Sequence, residues 1–365
     1  MAKLFTGPSF LGTFGLVFLA IAILFAADTF LANTERAERL AGGARLYQQG
    51  QALMQRGDYP TAIPLFQDAM AMERGNRDYQ RALAKAQFAA GKAAAAESTL
   101  TELLGSGPAD GPSNLIMGRV LAKEGRYTEA ISYLHRAIDG DWNEDAAGNR
   151  LRVRFELIDL LAERNSREEL LAELMAAQDH ISRDLEMKRG RLFLVAGSPT
   201  HAADVFRGIL QDAPANADAQ TGLGEAEFAR GNYRAAQRDF QTALRLAPDH
   251  PEARHGLELA DAVLSLDPTI RGLGPAERYR RSRKLVELAE GETTRCIGQT
   301  GPPELQELLD KAGKALKARM SAARQSEASE SNLDLAEQLW QARKKECKSP
   351  ATDRPLDLVL AKLAR

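Results

Sequence analysis

The chain holds two cysteines, Cys296 and Cys347, both in its last third. Joined, they would staple the C-terminal part in an oxidising compartment; unjoined, they would be two reduced, buried thiols, and their positions alone leave both readings open. A concentration of charged groups is RYRRSRK at 278–284, five cations in seven residues, with Glu277, Glu287 and Glu290 close by. Such a run suits an anionic lipid surface or an acidic partner, and its plainer reading is a solvated helix face balanced by those glutamates.

Catalytic and metal signatures are missing. GKAAAAES, starting at Gly91, lacks the second glycine and the hydroxyl after lysine that a phosphate-cradling loop needs, and no H-E-x-x-H, C-x-x-C or G-x-S-x-G pattern occurs. The five histidines are scattered, and His250 and His255 stand five apart, on different faces of a helix, which is wrong spacing for a zinc site. The sequence therefore predicts no enzyme, no cofactor, no metal and no small-molecule substrate. With 48 basic against 50 acidic residues and a net charge of −2, the chain lacks the electrostatic footprint of a nucleic-acid binder.

What the sequence does supply is a period. Gly57, Gly91 and Gly125 are 34 residues apart, and so are Gly197 and Gly231. After Gly231 come Tyr233, Ala236, Phe240, Ala243 and Pro248, and the other glycines are followed by small or large apolar residues at the same offsets: Ala62, Phe66 and Ala69; Ala96, Leu100 and Leu103; Ala130, Leu134 and Ala137; Ala202, Phe206 and Ile209. Steps of four and three put these on one stripe of a helix. The glycine supplies the left-handed residue that ends the preceding helix, and the proline closes the unit because it cannot donate an amide hydrogen. Each unit is thus a pair of antiparallel helices.

This pattern resembles the tetratricopeptide repeat, best over 217–250, where Leu223, Gly224, Gly231, Tyr233, Ala236, Phe240, Ala243 and Pro248 occupy signature positions. In register, the units are 43–76, 77–110, 111–144, 149–182, 183–216 and 217–250, with DAAG inserted at 145–148 and a capping helix from Pro251 to Leu266. Unit 149–182 departs from the pattern, with Glu163, Glu168 and His180 where Gly, Ala and Pro are expected, and unit 43–76 ends in Arg74 instead of Pro. The resemblance implies a right-handed superhelical solenoid of about six helix-turn-helix repeats whose ninth positions face a concave groove. Those positions are Gln51, Lys85, Arg119, Leu157, Arg191 and Glu225. With the neighbours Arg81, Arg150, Arg154 and Lys188, the cations Lys85, Arg119 and Arg191 imply protein partners, acidic peptide segments among them.

Two further segments complete an all-α architecture. Residues 9–27, SFLGTFGLVFLAIAILFAA, carry no charge and are long enough to cross the ~30 Å hydrocarbon core as a transmembrane helix. The run is too long for a signal peptide and lacks a small-x-small cleavage site, so an uncleaved anchor is predicted after a short tail (1–8). With Lys3 as the near flank and no basic residue after the span until Arg36, residues 28–365 are placed on the extracytoplasmic side of an inner membrane, beginning with a linker or helix extension at 28–42. The solenoid with its cap occupies 43–266. A helical C-terminal module (267–365) is expected to hold helices at Pro275–Glu290, Pro303 to about Arg324, Asn332–Glu346 and Leu356–Leu363, separated by loops. The resulting expectation is a membrane-anchored interaction scaffold of the bacterial envelope, an assembly or maturation factor, with a constitutive structural subunit of a membrane complex as the alternative.

Overall fold

A computed structural model of the chain describes residues 8–177, 182–297, 301–347 and 354–364. Most of the N-terminal tail, His180 and parts of the two C-terminal loops lie outside the described residues. Among the described residues there are seventeen α-helices and no strand. The chain divides into two compact units, residues 1–160 and 161–365.

The first unit opens with α1 (Pro8–Gln55), 48 residues without interruption. Its first part is long and apolar enough to cross a membrane, with a mean hydropathy of 2.3, and buries nothing within the chain: Phe18 is 73% and Leu24 69% exposed. Its last turns are different in kind. Gly43 and Gly50 are buried against α2 (Tyr59–Met72), where a β-carbon on Gly50 would stand 2.5 Å from the Phe66 ring. Residues 28–42, expected as a linker or helix extension, are the middle of α1. Hairpins α3 (Arg77–Ala89) with α4 (Ala93–Ser106) and α5 (Gly111–Lys123) with α6 (Tyr127–Asp139) follow, and most of α7 (Ala146–Glu163) belongs to this unit, which ends at Leu160.

In the second unit, α8 (Arg167–Ala176) precedes the hairpins α9 (Arg183–Val195) with α10 (Pro199–Asp212) and α11 (Ala217–Ala229) with α12 (Tyr233–Leu246), then the cap α13 (Pro251–Leu266). Gly57, Gly91, Gly125, Gly197 and Gly231 all take φ between 75° and 79°, the left-handed conformation that lets each first helix end. The stripe after each glycine is buried: Ala236, Phe240 and Ala243 are at most 1% exposed.

The departing repeat is where sequence register and structure differ. Its left-handed residue is Asn165 (φ 56°), 40 residues after Gly125 and 32 before Gly197, instead of Glu163. Asparagine tolerates this region better than any branched side chain. Counted from Asn165, the apolar offsets fall on Leu170, Leu174 and Ala177, each at most 1% exposed. Asp145 of DAAG takes a positive φ of 40° just before α7 and the other three residues begin it, so that α7 absorbs most of the insertion as extra helix, 18 residues against 13 in α3 and α5.

A second periodic feature escaped the sequence reading. The last residue of a unit caps the first helix of the next: Asn76 accepts from the Tyr79 amide, Asp110 from Ser113, Asn216 from Ala219 and His250 from Ala253. These residues are 34 apart within each pair of neighbours.

Beyond the cap, α14 (Pro275–Ile297), α15 (Pro303–Lys317), α16 (Gln325–Glu346) and α17 (Pro355–Leu363) enclose one core with it, in which Val263, Leu285, Val286, Ala336, Leu339, Val359 and Leu360 are all fully buried. The helix α14 continues past Glu290 because Gly291 costs only about 1 kcal/mol in a helix and Thr293, beyond it, is buried. Conversely, α15 stops at Lys317: after Leu316 the next large apolar side chain, Met320, faces solvent and anchors no further turn. A 3₁₀ turn (Ala322–Arg324) leads into α16, seven residues before its expected start. Cys296, expected in a loop, lies in the last turns of α14 and is bonded to Cys347 at the end of α16, with 6.2 Å between Cα atoms.

Candidate protein-binding groove

In the first unit, the fifth and ninth positions of the first helices come together. Tyr47 and Gln51 on α1, with Asp78, Arg81 and Lys85 on α3, line a cavity of about 100 Å³ whose floor includes Met54 and Phe66. Tyr47 stacks obliquely on Phe66 and Tyr79, with centroids 5.8 and 5.0 Å away. Burial is the main cause that raises the Tyr79 phenol above its ordinary pKa, helped by Glu73.

The cations differ in how free they are. Arg81 is held by Asp78 at 3.0 Å and faces Asp110 at 3.5 Å. Arg119, on α5, grips Glu156 of α7 with Nε at 2.8 Å and a second guanidinium nitrogen at 2.5 Å, a two-pronged pair. Arg154, half-buried on α7, has a partner of its own. Lys85 has no ion pair among the described residues. Its ammonium lies below the usual lysine pKa, first because the crowded wall strips water from it and then because Arg81 and Arg119 repel it. A carboxylate arriving there would restore what desolvation and repulsion remove.

Leu157 does not face a groove: it is fully buried, because the register slip in α7 hands the ninth position to Asp159. In the second unit, Lys188 and Arg191 lie on α9, Lys188 with a partner of its own. Arg191 is exposed and acts on Glu225 of α11, a carboxyl raised above its ordinary pKa chiefly by burial, further by Glu252, and pulled back by Arg191. His250 sits between Asp218 at 3.0 Å and Glu252 at 3.1 Å. The inner face of this unit is thus a mosaic of both signs. Asp78, Glu156, Asp218 and Glu252 were not singled out from the sequence, since counting ninth positions alone sees one residue per repeat.

The profile of the tetratricopeptide repeat matches residues 53–113 and 194–259, and a second profile of the same repeat matches 115–145. This chain carries tetratricopeptide repeats. Cellulose synthase operon protein C of Escherichia coli strain K12 is 26% identical over 257 residues, 70% of this chain and 22% of its own length. Superkiller complex protein 3 of Mus musculus is 27% identical over 286 residues, 69% of this chain and 18% of its own. This chain therefore spans about a fifth of the length of these curated relatives. Among solved structures, the C-terminal part of a TPR repeat-containing protein from Cytophaga hutchinsonii aligns with 14% identity and a TM-score of 0.47, over 66% of this chain and 95% of that one. Tetratricopeptide repeats in general mediate protein–protein interaction.

The other basic feature, 278–284, is largely engaged within the chain. Arg280 and Arg281 bind Glu277, Lys284 binds Glu287 at 3.1 Å, Arg281 donates to the carbonyls of Leu264 and Asp267, and Arg283 donates to that of Leu316. The run works mainly as a clasp between α14 and its neighbours.

Proposed function

We propose that this protein is a membrane-anchored scaffold that captures peptide or helical segments of envelope proteins on the inner face of its tetratricopeptide repeats, as an assembly or maturation factor. The observation that carries this reading is the continuity of α1: one helix exposes an apolar, membrane-length segment and then buries Gly43 and Gly50 in the first repeat. A tether of this kind raises the effective concentration of membrane-bound partners at the repeats. Among the described residues the large exposed apolar side chains outside α1 are few, Met72, Met175, Val195, Leu246 and Met320, and charged inner faces, with Lys85 in the first unit and Arg191 in the second, suit reversible capture better than a permanent interface. The bonded pair Cys296–Cys347 supports an extracytoplasmic location for the part after the anchor. The likeness to a protein named for a cellulose synthase operon suggests a cell-envelope assembly as the setting.

The test is to crosslink the tagged chain mildly in its own membranes and identify its companions, then repeat with Lys85→Glu, Arg119→Glu and Arg191→Glu. Capture is expected to fall in these variants while membrane retention stays. An unchanged set of companions in all three would discard the groove; release of the wild-type chain by alkaline carbonate without detergent would discard the anchor.

A further inference from the structure

A second basic concavity lies on a different element of the last repeat. The turn at Gly231, the first two turns of α12, Leu264 of α13, the loop 267–271 and Lys362 of α17 surround a cavity of about 480 Å³. Four cations line it, Arg234, Arg238, Arg271 and Lys362, against one carboxylate, Asp267. That carboxylate is already engaged: Asp267 is 1% exposed, accepts Lys362 Nζ at 2.5 Å, and accepts the Thr269 amide and hydroxyl at 2.8 and 2.7 Å. Arg234, Arg238 and Arg271 are left with no ion pair among the described residues.

Their arrangement is unfavourable as it stands. Arg234 and Arg238 are four apart on one face of α12, where like charges repel. Arg234 also sits on the positive first turn of that helix, which has no side-chain cap because the Asn232 amide is turned to Glu227 at 2.7 Å. An anion between the guanidinium groups would relieve both effects. The rest of the lining decides its kind: Ala235, Leu264 and Ile270 offer apolar wall that a bare phosphate would leave unused, whereas a peptide with acidic and apolar residues covers both parts.

We propose that this cavity binds an acidic segment of a partner protein, with carboxylates on Arg234, Arg238 and Arg271 and an apolar side chain against Leu264 and Ile270. The site is separate from Lys85 and Arg191, so its existence does not depend on capture by the inner face.

The experiment measures fluorescence anisotropy of a labelled hexapeptide of alternating glutamate and leucine, titrated with the full chain in detergent micelles. Arg234→Glu with Arg238→Glu, and separately Arg271→Glu, should each weaken binding at least about tenfold, since charge-assisted pairs are lost. Lys311→Glu, a charge reversal on the exposed face of α15 outside both sites, should leave it unchanged. The milder pair Arg234→Gln with Arg238→Gln, checked for native helicity by circular dichroism, should weaken it too, which separates lost binding from lost folding. Wild-type affinity in the folded glutamine pair overturns the proposal, as does equal binding of a peptide with glutamine in place of glutamate. Saturation by inorganic pyrophosphate with no binding of the peptide also overturns it, in favour of a phosphate site.

Discussion

A β-carbon on Gly224 would stand 2.7 Å from Cε1 of Phe240, so the two helices of the last repeat meet with only hydrogen between backbone and ring. Gly256 of the capping helix approaches the same ring from its other neighbour, where a β-carbon would come within 2.4 Å. Phe240 is thus clamped between glycines of successive helix pairs, and Phe206 is held likewise between Gly190 and Gly222. The large residue nine after the turn glycine and the small residues of the first helices are two halves of one contact.

This clamp gives two glycine-to-alanine substitutions opposite signs. Gly224→Ala gains up to about 1 kcal/mol of helix propensity but overpacks a filled site, which costs about 1–3 kcal/mol, so a net loss of up to about 2 kcal/mol is expected. Gly208, in α10, has no atom within 4 Å of where its β-carbon would be. Gly208→Ala should therefore gain about 0.5–1 kcal/mol. Thermal unfolding of the two variants in detergent checks the pair, and equal signs would contradict the clamp.

Acidity should act on the same repeat through Asp239. Burial first, and then the neighbouring Glu227, push its carboxyl from 3.8 up to about 6, despite the hydrogen bond from Gln220 at 3.0 Å. The folded state therefore binds a proton that the unfolded state releases between about pH 4 and 6, and stability falls as pH rises through that window. Because the side chain is only half-buried, the loss at neutral pH is expected to be about 1 kcal/mol, well under the full shift. Asp239→Asn should flatten this slope and raise the neutral-pH unfolding temperature. A series of thermal melts from pH 4 to 7 reads both effects, and an unchanged slope in the variant would remove Asp239 from the account.

How far the sequence reaches is decided by which interactions are periodic. The turn glycines and the stripe Ala236, Phe240, Ala243 could be read because each repeat must solve the same helix-ending and helix-packing problem. The caps Asn76, Asp110, Asn216 and His250 are equally periodic but less legible, since a polar residue before a helix looks ordinary until its offset is counted. The slip at Asn165 was hidden because a helix can lengthen without changing its apolar rhythm, and this sent Leu157 to the core instead of a groove. Of the inner-face cations, type and position were legible but pairing was not: Glu156, which grips Arg119, comes from another repeat 37 residues away. The C-terminal helices lack a period, so their ends followed from tertiary burial at Thr293 and Leu305, which local pattern does not encode.

Buried charge should hold α17 in place. Asp357 is 6% exposed and takes the Trp340 indole at 2.8 Å and the guanidinium of Arg343, itself 3% exposed and 3.7 Å from Glu292. Removing one member leaves the other charge buried, so Asp357→Ala is expected to cost about 3–5 kcal/mol, with fast amide exchange first in α17. Arg343→Met combined with Asp357→Leu should recover most of this, because the cost lies in the unpaired charge rather than in the absence of an ion pair. Hydrogen exchange followed by mass spectrometry measures both, and a double variant no better than the single would show that the pair itself is essential.

The same end of the protein should respond to reduction. Cys296 and Cys347 are bonded across 51 residues that include α15, and Cys296 is exposed on the end of α14, where a reductant can reach it. Closing a loop of that length removes denatured-state entropy worth about 4 kcal/mol, an upper figure because residual structure in the unfolded chain lowers it. Reduction should therefore lower the unfolding temperature and speed amide exchange in α14 to α17, while the hairpins of residues 77–139 remain protected. The paired variant Cys296→Ser with Cys347→Ser should show the lowered temperature without reductant and no further change with it. Equal melting of oxidised and reduced wild-type protein would mean that the buried core around Leu285, Leu339 and Leu360 holds these helices unaided.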